Sequence, residues 1–207
     1  MKQLWRWLEH APRHRRGLRA FQLCLGLAVL FRVLTEVRHA AWLYGPTGVG
    51  AGTSMTVLGV TLGAWVDAVY RLAPAPYALL ALQGLGAWLL IRGHRTRLAV
   101  LATLVPMLLL EWRTPEIADG GDNLARLALT YMLLTLPPQA PEPPQGAALT
   151  VLHNLGVVLL AGQLLLVYFT AGMAKASGEA WVNGTALYLV AQVDEYSLPA
   201  LRGLLES

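Results

Sequence analysis

Cysteine is almost absent. Cys24 stands alone among 207 residues and lies inside an apolar run, so the chain supplies neither a disulfide framework nor a thiolate metal site. Charge is scarce too. Charged residues make up 14% against 56% hydrophobic, and mean hydropathy is +0.49, which excludes an ordinary water-soluble globule. Lysine is nearly missing, two against fourteen arginines, the bias of a GC-rich bacterial genome. A net charge of +4 and a pI near 9.5 raise nucleic acid as a partner, yet the arginines gather at segment ends and form no stripe between exposed aromatics, so no nucleic-acid partner is expected. Nucleotide and hydrolase signatures are lacking: no Gly-x-Ser-x-Gly elbow, no Walker loop, no Gly-x-Gly-x-x-Gly after a strand. His39, His94 and His153 are isolated, with no spacing that gathers a metal. No internal repeat and no pair of broken helices in matching halves supports a channel or transporter.

What is present is long apolar sequence. Uncharged runs cover Leu72 to Ile91 (20 residues), Leu127 to Pro141 (15) and Pro143 to Ala174 (32). A helix needs about 20 such residues to cross a bilayer, so the fold class is all-α: a polytopic transmembrane helical bundle of about five spans plus interfacial helices. The lipid bilayer is its first partner. Residues 1–19 carry Lys2, Arg6, Arg13, Arg15, Arg16 and Arg19 beside Trp5, Trp7 and Leu8, which fits a basic interfacial segment held by aromatics and anionic headgroups. The apolar run after it leads into "TEVRHAAWLYGP" and not into a small-residue cleavage site, which reads as an uncleaved first span.

Residues 20–207 form the transmembrane domain, with spans expected at about 20–42, 76–91, 98–110, 123–136 and 147–174. In Met55 to Leu72, Leu58, Leu62, Trp65, Val69 and Leu72 recur at helical spacing, predicting a helix that either crosses or lies in the interface. Lysine and arginine divide nine to four between the two sides if it lies in the interface and nine to three, with Arg71 inside the span, if it crosses, so the count leaves this segment open. Three arginines in the short loop at 92–97 favour a cytoplasmic loop, hence five spans, a cytoplasmic N-terminus and a multi-pass protein of the plasma (inner) membrane.

Three sets of polar residues invite more than one reading. Arg32 and Glu36 sit four apart on one face of the first span, as a structural pair or as part of an intramembrane pocket. In "IADGGDNLARL", Asp122 or Asn123 caps the following helix while the two glycines make the turn, and Arg126 needs an anionic or carbonyl partner. Lys175 follows the longest apolar run. As the bland reading, it complements the negative end of a helix dipole and reaches for headgroups. As the functional one, it is partly desolvated and able to take a proton.

"LVYFTAGMAKASGEAWVNGTALYL" resembles the strongest motif of the HTTM family, the membrane domain shared by vitamin K-dependent gamma-carboxylases and many bacterial proteins. The pattern is an aromatic pair, small residues, a lysine, then Trp181 and Gly184 before another helix. "LYGPTGVG" after the Arg32/Glu36 span and "DGGDNLARL" before a later one are also similar to that family. The resemblance implies that Lys175 is the catalytic base that deprotonates a vitamin K hydroquinone or another quinone, facing the non-cytoplasmic side. Arg32, Glu36, Asp122, Asn123, Arg126 and Trp181 are then the expected substrate-binding residues. The chain departs from the carboxylases in having Ala174 and Lys175 where they carry paired lysines, Asn123 near the position of a histidine, and no large extramembrane domain, which argues against glutamate carboxylation. Family members continue with further spans, so the resemblance implies a chain short at its C-terminus.

Two functions follow from these residues. One is a carboxylase-like membrane enzyme, with Lys175 as general base on a quinone-like or peptide substrate. The other is a non-catalytic membrane component for maturation, export or immunity in an antimicrobial-peptide system, like the sporulation-delaying B-type relatives, binding a secreted peptide or partner membrane proteins.

Overall fold

The structure, a computed structural model of the chain, describes residues 7–49, 56–57, 60–61, 68–115, 117, 119–138 and 147–193. Two compact units divide the chain, Met1–Leu160 and Ala161–Ser207. In the first unit α1 (Arg15–Glu36) runs through a 3-10 turn (Val37–His39) into α2 (Ala40–Tyr44). A two-residue antiparallel pair, β1 (Thr56–Val57) and β2 (Val60–Thr61), precedes α3 (Ala75–Arg92), α4 (Thr96–Arg113) and α5 (Gly120–Met132). The long α6 (Ala147–Ser177) starts in this unit and ends in the second, which also holds α7 (Glu179–Val182) and α8 (Ala186–Ala191).

The helices follow from local sequence. On α1, Leu18, Gln22, Leu25, Gly26, Val29 and Val33 recur every three or four residues and turn inward, while Leu27, Phe31 and Leu34 are exposed on the other side. α3 carries Pro76 in its first turn, where no N–H is needed, and stops at Gly93. Gly93 adopts a left-handed φ of 75°, and its N–H bonds the Leu90 carbonyl while that of His94 bonds Leu89. The short turn after it folds α4 back antiparallel to α3. Close approach is bought with small side chains: a Cβ on Gly86 of α3 would stand 2.5 Å from Thr103 Oγ1 and 2.7 Å from Thr103 N on α4. Gly26 lies against Ala87 and Ile91, and Gly84 against Val33, so α1 and α3 also run antiparallel.

The distribution of side chains is that of a protein solvated by lipid. Gln22, Gln83, Thr103, Glu111, Arg113, His153 and Asn154 are buried, whereas Phe31, Leu165, Tyr168 and Phe169 are among the most exposed. Among the described residues, three helical segments are long and apolar enough to cross a membrane: Arg15–Tyr44, Ala75–Arg92 and Ala147–Ser177. α4 has 18 residues but carries Arg97, Glu111 and Arg113, and α5 has only 13 residues.

Several expectations change. The helix expected over Met55 to Leu72 gives way at its start to strand pairing, Thr56 with Thr61 and Val57 with Val60; these four β-branched residues flank Gly59 in sequence, and such side chains suit an extended backbone. Residues 55, 58–59 and 62–67 of that segment lie outside the described ones. The first long helix starts at Arg15, earlier than the expected residue 20, so Arg15, Arg16 and Arg19 are helical. The cap of α5 is Asp119, neither Asp122 nor Asn123, and Gly120 and Gly121 are the first helical residues rather than the turn. Asp119 is extended (φ −100°, ψ −178°), which frees its carboxylate to accept from the amide of Asp122 at 2.9 Å, and Asp122 Oδ2 accepts from the Asp119 amide at 3.2 Å.

The start of α6 is tied to the N-terminal segment. Asn154 Oδ1 accepts from Arg13 N, and its amide nitrogen donates to the carbonyls of Leu8 and Ala11. His153 Nδ1 accepts from Leu136 N at 3.0 Å while Nε2 lies 2.9 Å from the Arg13 carbonyl, which requires the proton on Nε2. At the same end Arg15 donates to Pro138 O (3.0 Å) and Arg19 to Leu90 O (2.9 Å) and Ile91 O.

Candidate functional site: an ionic cluster and a lysine on an indole

At the far end of α1, three helices deliver charge to one place. Arg32 comes from the last turns of α1, Glu111 from the last turn of α4, and Asp122, Asn123 and Arg126 from the first turns of α5. Arg32 is the hub: Nε meets Glu36 Oε1 at 2.6 Å, and Nη1 meets Asp122 Oδ1 at 2.9 Å and Glu111 Oε1 at 3.4 Å. Glu111, buried at 4% exposure, also faces Arg126 Nη1 at 3.4 Å. Arg126 Nη2 donates to Asn123 Oδ1 at 2.6 Å, and the Tyr44 hydroxyl donates to Glu36 Oε2 at 2.9 Å. Asp122 thus serves twice, closing the capping box through Oδ2 and holding Arg32 through Oδ1.

Three carboxylates here face two guanidiniums, and the planar fork of Arg32 serves all three at once. Among the described residues no three His, Cys, Asp or Glu side chains group as metal ligands; these carboxylates converge on a guanidinium. The members differ in access. Arg126 is half-buried, with its side chain 38% exposed and its only ion pair among the described residues a long one, whereas Arg32, Glu36 and Asp122 are more enclosed. Buried Arg113 donates to Gly45 O at 3.3 Å and lies 5.1 Å from the centroid of the Tyr70 ring. Burial pushes the Tyr70 phenol above its ordinary value, and the neighbouring Arg113 charge opposes that shift.

The second unit holds the remaining candidates. Lys175 is exposed in the last turn of α6, and its Nζ stands 4.9 Å from the centroid of the Trp181 ring on α7. Among the described residues no carboxylate lies within ion-pair distance of it. Gly178 makes the break between the two helices possible, since a Cβ there would stand 3.0 Å from the Ala174 carbonyl.

Of the residues singled out from sequence, Arg32, Glu36, Asp122, Asn123 and Arg126 therefore meet in one cluster, and Lys175 meets Trp181. Sequence reasoning missed Glu111 and Tyr44 as members of the cluster and His153 with Asn154 as the clasp on the N-terminal segment. The His-Asn pair inside a 32-residue uncharged run was the visible signal for the clasp, because an apolar helix keeps polar residues only where they find partners. No family model, no curated protein and no solved structure matches the chain.

Proposed function

We propose that this helical membrane protein binds an amphiphilic substrate, quinone-like or peptide, at the ionic cluster, and we propose separately that Lys175 is a general base, as in the HTTM family it resembles. The observation that carries the reading is Arg126. Its guanidinium is the accessible cation of the cluster and its contact to Glu111 is long, so an incoming oxyanion or quinone oxygen displaces little and gains a charge-assisted hydrogen bond. The lipid-facing helices suit an isoprenoid or acyl tail. At Lys175, the chemistry offered is proton acceptance from a weakly acidic hydroxyl by an amine that no carboxylate among the described residues neutralises.

The proposal includes five crossings, with the N-terminus cytoplasmic in a bacterial plasma membrane. Its support is the alternation of direction: α3 runs opposite to α1, α4 opposite to α3, and the meeting of the end of α4 with the start of α5 at the cluster fits a further reversal. The 18 residues of α4 extend about 27 Å, close to the hydrocarbon thickness.

The test separates the two elements. With purified protein in nanodiscs, Arg126→Gln is expected to weaken binding of a menaquinone analogue about tenfold, the loss of one charged hydrogen bond. Lys175→Ala is expected to leave that binding intact and abolish the host phenotype at equal protein level. Unchanged binding in the first variant removes the cluster from the proposal, and an unchanged phenotype in the second removes the base.

A second reading, a non-catalytic component that matures, exports or gives immunity to a secreted peptide, is favoured by the face of α6 from Leu164 to Phe169. There Leu165 is 73%, Tyr168 78% and Phe169 66% exposed, a surface for lipid or for another helix. Under that reading Lys175→Met retains function and a specific partner co-purifies from mild detergent.

A further inference from the structure

We propose that the Arg15 end of α1 carries a binding groove for a phosphodiester, the headgroup of an anionic phospholipid. An open groove of about 530 Å³ is lined there by Arg15, Arg16, Arg19 and Pro138. The two outer arginines form fixed walls. Arg15 is oriented by its bonds to the carbonyls of Pro137 and Pro138, and Arg19 by its bonds to Leu90 and Ile91 at the end of α3.

Arg16 differs from both. It is exposed and makes no hydrogen bond or ion pair to the described residues, so its guanidinium is available to close over a ligand. The first turn of α1 contains no acidic residue, and the helix dipole adds positive potential at the same place. Three guanidiniums around one groove match the oxygens of a phosphodiester, which guanidiniums bind in bidentate fashion.

Neighbouring residues identify the depth. Arg13 lies over the Trp7 ring at 4.9 Å, and Arg92 over the Trp88 ring at 5.4 Å, at the end of α3 that Arg19 reaches. Tryptophan with arginine marks the headgroup level of a bilayer, which favours a lipid phosphate over a soluble one. The ring of Pro138 gives the groove an apolar wall for the glycerol side of such a lipid. This site is separate from the ionic cluster and does not depend on the reaction proposed for Lys175.

The experiment uses the whole chain, delipidated in detergent and titrated with phosphatidylglycerol or phosphatidylcholine, with bound lipid counted by native mass spectrometry. One phosphatidylglycerol is expected to bind in preference to phosphatidylcholine. Arg16→Gln is expected to weaken it about fivefold, one arginine's worth at an anionic surface, and Arg16→Lys less. Arg97→Gln removes one charge at the start of α4 without touching the groove and is expected to bind like the parent; a thermal melt checks that each variant is folded. Equal binding of the two lipids, or equal losses for the Arg16 and Arg97 variants, overturns a defined groove in favour of diffuse attraction. Displacement of phosphatidylglycerol by excess inorganic phosphate overturns the lipid assignment.

Discussion

Replacing Arg32 by glutamine removes the one group that touches all three carboxylates of the cluster. It loses two short charge-assisted contacts, 2.6 Å to Glu36 and 2.9 Å to Asp122, and a longer one of 3.4 Å to Glu111. At about 1.5–3 kcal/mol for each short contact the gross loss is several kcal/mol, and glutamine recovers part of it with a neutral donor, leaving about 3 kcal/mol. The loss concentrates on Glu111, which is 4% exposed and among the described residues keeps only the ion pair to Arg126 at 3.4 Å. The measurement is reversible unfolding in bicelles on addition of SDS, for Arg32→Gln, Asp122→Asn and the double variant. Because both single changes weaken the same contact, the double should be less destabilised than their sum by about 1 kcal/mol. A cost for Arg32→Gln below about 1 kcal/mol refutes the reasoning that this guanidinium fastens α1 to α4 and α5, since uncompensated buried charge costs more than that. Strict additivity of the two changes refutes it as well.

Other consequences are checked more simply. Asn154→Ala removes three hydrogen bonds to the backbone of Leu8, Ala11 and Arg13, so it should cost about 2 kcal/mol and speed amide exchange at Arg13; unchanged exchange there rejects the clasp. Gly86→Ala should cost about 2 kcal/mol in the same unfolding assay, and adding Thr103→Ala should not restore it, because the Thr103 backbone nitrogen at 2.7 Å is as much in the way as the hydroxyl. In a Cys24→Ser background, an impermeant thiol reagent applied outside the cell should label Ile117→Cys and spare His94→Cys; labelling of His94→Cys alone removes the five-crossing arrangement.

How much of the site could be read in advance differs from residue to residue. Arg32 and Glu36 were recognisable as partners because a spacing of four places them on one helix face, and the structure joins them at 2.6 Å. That Arg126 needs an anionic or carbonyl partner was legible from its place in an apolar segment; the Asn123 oxygen is local, but Glu111 as the anion depends on α4 and α5 meeting end to start. The cap of α5 was misassigned because Asp119 and Asp122 offer the same carboxylate, and only backbone dihedrals tell a capping residue from its reciprocal third neighbour. The helix expected from Met55 rested on the helical spacing of Leu58, Leu62, Trp65, Val69 and Leu72, and it passed over the β-branched Thr56, Val57, Val60 and Thr61, which suit an extended backbone.

Sequence alone pointed to lipid as the solvent and marked the rough extent of the apolar helices Ala75–Arg92 and Ala147–Ser177, because long uncharged runs have one stable arrangement in lipid, with every backbone group bonded inside a helix. It also placed a lysine at the end of the longest apolar segment. Which charges meet was decided only by tertiary structure. Ion pairs join residues as much as 90 positions apart, as between Arg32 and Asp122, and no local pattern encodes the direction in which one helix returns past another. The Lys175–Trp181 contact lies between these cases: its spacing is local, yet the break at Gly178 must turn the chain before the indole can meet the amine.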